Sequence, residues 1–121
     1  KFSSFHKGID IANKKGTQVK ATNTGRVSLV ANMKSNGKII LINHGHGITS
    51  IYSHLSKFHV KEGQWVKKGQ VIARIGTSGI STGPHLHFGI SVNDVRVDPL
   101  QWVKGEVQLY YKEIKTAQKS Q

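Results

Sequence analysis

The chain contains no cysteine. That excludes disulfides, thiolate metal ligands and a cysteine nucleophile together. It is compatible with an oxidising compartment such as a periplasm without requiring one. No apolar run approaches the ~18 residues of a membrane-spanning helix, so no transmembrane segment is expected. The chain opens at Lys1 with neither a methionine nor the basic-then-apolar pattern of a signal peptide. Its first candidate site residue follows within a few positions, so the sequence reads as a piece or processed form of something longer. Acidic residues are scarce, six against 18 lysines and arginines, which leaves a formal charge of +12. Such a charge favours anionic partners in general. The lysines are scattered, with doublets only at Lys14-Lys15 and Lys67-Lys68, and no basic stripe interleaved with aromatics appears. No nucleic-acid partner is therefore expected; the charge reads as a bias toward an anionic matrix.

What is present fits one domain with a real core. Thirteen glycines and only two prolines punctuate short apolar runs, the rhythm of an all-β fold. Strands are expected at Val19–Ala21, Gly25–Asn32, Lys38–Asn43, Ile48–His54, Gln70–Ile75 and His85–Val92. Turns fall at Ser35-Asn36-Gly37 and His44-Gly45-His46-Gly47. From Asp98-Pro99 the pattern changes. Val103, Val107, Tyr110, Ile114 and Ala117 recur at helical spacing, so residues 1–99 read as a core and 100–121 as a short amphipathic helix and tail. That helix is expected to pack on its own domain; a docking surface for a partner protein or second subunit is the sharper alternative. The expected architecture is an antiparallel β-sandwich with a surface groove and a short C-terminal helix.

The last predicted strand carries the chemistry. Leu86, Phe88, Ile90 and Val92 alternate with His85, His87, Gly89 and Ser91, so two imidazoles project from one face while their apolar neighbours anchor the strand. Neutral imidazole is a good Zn²⁺ ligand, although a polar strand face bearing two histidines would look the same. Near the start, His6 and Asp10 stand four apart around Gly8; the glycine and the flanking Ile9 and Ile11 disfavour a helix, so a bend or strand end would have to bring them together. His6 and Asp10 with one strand histidine make a His₂Asp set, three protein ligands with an open fourth position, the pattern of catalytic zinc. On the strand Ile48–His54, alternation places Ser50, Tyr52 and His54 on one face, with His54 a candidate proton acceptor or oxyanion donor. His44, His46 and His59 stay outside this set, and Trp65 and Trp102 read as core or rim aromatics.

His6-x-x-x-Asp10, Tyr52-x-His54-Leu55 and Ser81-Thr82-Gly83-Pro84-His85-Leu86-His87-Phe88, in this order, resemble the LytM/lysostaphin-type (M23 family) zinc metallopeptidases that cut bacterial peptidoglycan peptides. The resemblance runs from about Phe5 to Pro99. It implies one Zn²⁺ per chain held by His6, Asp10 and His87, with His54 and His85 as the catalytic pair. One of these would take the proton of a metal-bound water and the other stabilise the oxyanion; the residues do not assign the two roles. It further implies a setting in the cell envelope, periplasmic or secreted, and a peptide substrate from the wall, cut at glycine–glycine bridges or between D-alanine and diaminopimelate. Without an attached wall-targeting module, the second bond is favoured. Ser4 stands where the family often has arginine, and Gly37-Lys38 where it often has Gly-Asn. A non-catalytic family member that activates a separate amidase is the alternative, against which all five site positions are filled. Glycine–valine spacing around Gly63 and Gly69 also resembles biotinyl/lipoyl carriers, but Met33-Lys34 precedes that repeat instead of following it, which excludes a carrier role.

Overall fold

A computed structural model of the chain describes residues 8–99 and 106–116. Nine strands are joined in one open antiparallel sheet: β1 (Gly8–Ala12), β2 (Gln18–Lys20), β3 (Gly25–Met33), β4 (Gly37–Gly45), β5 (Ile48–Phe58), β6 (Trp65–Val66), β7 (Val71–Ile75), β8 (His85–Val92) and β9 (Val95–Val97). A single described helix, α1 (Glu106–Thr116), follows. The main path runs β1-β8-β5-β4-β3-β6. A branch, β2-β7, hangs from the far end of β5, and β9 pairs with β8. All six expected strands are present, the first shifted by one residue. The strands β1, β6 and β9 were not among the expected ones.

β8 lies inside the sheet. One of its edges is lined by β5, from Ile48↔Val92 to Ser53↔His87. The other is shared end to end by β1, which pairs Gly8↔Gly89 through Ala12↔His85, and by β9, which pairs Ile90↔Val97 through Val92↔Val95. Alternation holds along β8: Leu86, Phe88 and Ile90 are buried, while His85 and His87 lie on the opposite, half-exposed face. Ile9 and Ile11 of β1 go under with them. They join Val19, Val27, Ile40, Ile42, Tyr52, Leu55, Ile72 and Ile75 in one core that spans the main path and the branch. Burying each such side chain stabilises the fold by roughly 1.5–3 kcal/mol, which fixes the register of β8 and so the aim of its histidines.

The helix closes the same core. Val107, Tyr110 and Ile114 are buried, the Tyr110 ring meets Phe88 at 4.9 Å between centroids, and Asn13 Nδ2 donates to the Ile114 carbonyl at 2.6 Å, occupying an acceptor at the helix end. The stripe of Val107, Tyr110 and Ile114 is thus used on the domain itself, as expected; Leu109 is the large apolar side chain the described part of the helix leaves exposed. Val103, Ala117 and Trp102 lie outside the described residues. Trp65 is 68% exposed, so it belongs to the surface and not to the core.

Candidate active site

Strand pairing explains how residues far apart in sequence meet. Asp10 and His87 are direct cross-strand partners, which brings their side chains to one face within contact distance. His87 Nδ1 lies 2.7 Å from Asp10 Oδ1. His85, two positions earlier on that face, places Nε2 3.5 Å from the same oxygen. The imidazoles are sheltered, with 14% and 19% of their side-chain surface exposed, whereas Asp10 keeps 41%. Burial pushes the His87 pKa down, outweighing the Asp10 carboxylate that acts in the opposite direction; Arg96 and His54 add to the downward shift. His87 is therefore biased toward the neutral form that a metal requires.

His54 reaches this group by a device that the sequence pattern hides. Lys38 pairs with Leu55 but Ile40 with Tyr52, so β5 carries one extra residue opposite β4. This is a β-bulge, and His54 within it has φ +64°. A non-glycine residue in that region stores about 1–3 kcal/mol of strain, typically at functional sites. The turn in the backbone ends the alternation. Tyr52 stays in the core against Phe88, centroids 5.5 Å apart, while the His54 ring joins His85 at 4.8 Å and His87 at 6.2 Å. The expectation that Tyr52 and His54 share a face is thus corrected, and Tyr52 has no place in the site.

The two remaining imidazoles are oriented by backbone carbonyls. His54 Nδ1–H donates to Ser78 O at 2.8 Å, and His85 Nδ1–H to Gly83 O at 2.9 Å, with Ser81 Oγ at 3.2 Å. Both acceptors lie in the Gly/Ser/Thr-rich loop 76–83, which therefore positions the pair. With Nδ1 protonated, each ring keeps Nε2 as its basic nitrogen. Such rings can take a proton at Nε2 and return it, or, once protonated, donate to an oxyanion.

The donor set suits zinc. A carboxylate oxygen and an imidazole nitrogen already converge, on neighbouring strands locked by the core, and His85 adds a second nitrogen to the same face. His6, the remaining expected ligand, lies outside the described residues, as does Ser4. Among the described residues, no cluster of three or more His, Cys, Asp or Glu side chains forms a ready metal cage.

The histidines left outside the site have other partners. His59 Nε2 accepts from Arg74 Nε at 3.2 Å, and His46 sits exposed in the β4–β5 turn. His44 contacts Thr24 O through Nδ1 at 2.8 Å and Ser50 Oγ through Nε2 at 2.6 Å. Ser50 Oγ meets the Tyr52 hydroxyl at 2.7 Å, which in turn meets Thr22 Oγ1 at 2.9 Å. The self-consistent assignment with neutral His44 has Nδ1–H donating to Thr24, Ser50 donating to Nε2, Tyr52 to Ser50, and Thr22 to Tyr52. Burial pushes the His44 pKa below the imidazole norm, against a smaller opposite effect of the Thr24 carbonyl. The unfolded chain then binds the extra proton more readily. Stability is full above about pH 6.5 and declines as the pH falls from there toward the folded-state pKa. Thermal midpoints between pH 7.5 and about 5 should fall more steeply for the wild type than for His44→Gln; parallel curves would remove His44 from this role.

Residues 4–99 match the family model for peptidase family M23, and the chain belongs to that family. It is 39% identical over 96 residues to the DD-carboxypeptidase/endopeptidase Mpg of Neisseria meningitidis, covering 79% of this chain and 22% of that protein. It is 40% identical over 99 residues to the murein hydrolase activator NlpD of Salmonella dublin, covering 81% and 26%. The chain thus spans about a quarter or less of the curated relatives it matches. Among solved structures, the catalytic domain of lysostaphin from Staphylococcus simulans superposes with a TM-score of 0.78 at 37% identity, over 83% of this chain and 80% of that one. A zinc-containing peptidase from Vibrio cholerae gives 0.74 at 41%, over 76% and 28%.

Proposed function

We propose that this chain is the catalytic unit of a zinc-dependent endopeptidase that hydrolyses peptide cross-links of bacterial peptidoglycan in the cell envelope. Residues 1–99 form its core and 100–121 its helix and tail. The observation that carries the reading is the convergence of Asp10, His85, His87 and the bulged His54 on one face of the sheet. His6, Asp10 and His87 would hold the zinc, which supplies a water of lowered pKa and a Lewis acid for the scissile carbonyl. His54 and His85 would do the proton work at Nε2, one holding the proton of the attacking water for the leaving amine and the other donating to the oxyanion. Similarity to an activator supports a second reading, in which the same face of the sheet binds a partner amidase. The filled site positions favour catalysis. The zinc-loaded chain should release new peptide termini from isolated peptidoglycan. Full zinc occupancy with no release, together with stimulation of an added amidase, would sink the catalytic reading in favour of the second.

A further inference from the structure

Beyond the histidines, the same face carries a charge that this mechanism does not use. Arg96 lies on β9 opposite Ser91, and its guanidinium folds back over Gly89 of β8. A Cβ on Gly89 would come within 2.5 Å of Arg96 Nη2 and 3.3 Å of Nε. Gly89 follows His87 by two positions on one strand face, ~7 Å along β8, so the guanidinium is the neighbour of the candidate metal ligand along that face of the sheet. The charge of Arg96 is felt at His87. Arg96 is half-buried, and burial pushes its pKa down. Its Nε is fully covered yet hydrogen-bonds no partner among the described residues, and no salt bridge to a described carboxylate neutralises it. A cation partly stripped of water and left unneutralised is disfavoured unless an anion completes it. A guanidinium in this position fits a carboxylate, which it grips with paired N–H donors.

Resting on the endopeptidase reading above, we infer that Arg96 binds the substrate's carboxylate on the leaving-amine side of the scissile bond. That position distinguishes the two classes of wall bond. In a D-alanine–diaminopimelate cross-link, the carbon attached to the scissile nitrogen bears a free carboxylate; so does the terminal residue of a D-alanyl-D-alanine stem. Inside a glycine bridge the corresponding group is another amide and offers no charge. Arg96 therefore selects D-alanyl substrates with a free α-carboxylate, and it selects them by docking, without touching the reacting atoms.

The test uses two synthetic stem peptides that differ only in this group, free carboxylate or carboxamide, with the zinc-loaded wild type, Arg96→Gln and Arg96→Lys. Wild type should favour the carboxylate by about 10- to 100-fold in kcat/KM, the range of a charge-assisted contact, mostly through KM. R96Q should bring both peptides to the carboxamide level, and R96K should restore part of the preference. Zinc content and thermal midpoint should stay at wild-type values. Equal losses on both peptides in R96Q, or no preference in the wild type, overturn the proposal. Calorimetric binding of both peptides to zinc-free protein repeats the comparison without turnover and without carboxylate–metal contact. A protein that discriminates there but cuts neither peptide nor isolated wall keeps the carboxylate site and loses the endopeptidase reading; equal binding overturns the site.

Discussion

His87→Ala is expected to lose its zinc and, with it, turnover of peptidoglycan, while the domain stays folded. The imidazole stands on an inner strand of the sheet, directly across from Asp10 and 2.7 Å from its carboxylate. Removing it leaves Asp10 in contact with solvent, 41% exposed, so no buried charge is orphaned and the fold should survive. Metal affinity responds differently. Loss of a group that merely supports a ligand typically weakens binding 10- to 100-fold, and loss of a ligand itself should exceed that. Turnover should fall by at least about 100-fold for the same reason. The informative control is His85→Ala, because His85 also approaches Asp10, at 3.5 Å. If His85 works as a proton carrier, its alanine variant retains about one zinc per chain and still loses turnover. Metal analysis after dialysis, paired with release of peptide termini, separates the two. Zinc retained in H87A and lost in H85A would reverse the assignment.

The sequence already contained the pattern that aims His85 and His87, because a strand buried on one face must alternate, and Leu86, Phe88 and Ile90 occupy the buried positions. The helix was equally readable from the spacing of Val107, Tyr110 and Ile114. The approach of Asp10 to His87 was legible only through the family resemblance. β1 has five residues, and its pairing with β8 is a contact between chain positions 77 apart that no local pattern encodes. His54 shows where periodicity misleads. A strand read by alternation has no place for an inserted residue, and a bulge betrays itself in sequence chiefly when it carries glycine; here a histidine occupies the left-handed position. Arg96 was passed over entirely, since its role depends on Gly89 leaving open space on the neighbouring strand.

Gly37→Ala should disturb catalysis from a distance, lowering turnover without removing zinc. Gly37 has φ +65°, where an alanine side chain costs about 1–2 kcal/mol. The added Cβ would also press into the backbone of Ser78 and come within 2.5 Å of Gly79 N. Neither neighbour is free to yield. Lys38 N donates to Ser78 Oγ at 2.9 Å, Ser78 Oγ donates to Leu55 O at 2.6 Å, and Ile80 N donates to Ser35 O at 2.9 Å. These bonds clamp the loop 76–83 onto the β3–β4 turn, and the clamp holds His54 on two sides. Its backbone N–H donates to Asn36 O at 2.9 Å and its Nδ1–H to Ser78 O at 2.8 Å. Forcing turn and loop apart therefore releases a strained residue from the contacts that keep it in place. A displacement of about 1 Å at a catalytic group is worth roughly 100-fold in rate, and a total stability loss of about 2–3 kcal/mol follows from the left-handed conformation and the collision together. Denaturant unfolding, zinc content and kcat measured on one preparation check each part, with imidazole NMR reporting whether His54 still protonates Nδ1. A G37A variant that is destabilised yet turns over at the wild-type rate would show that the clamp serves the fold alone and that His54 is aimed by its bulge.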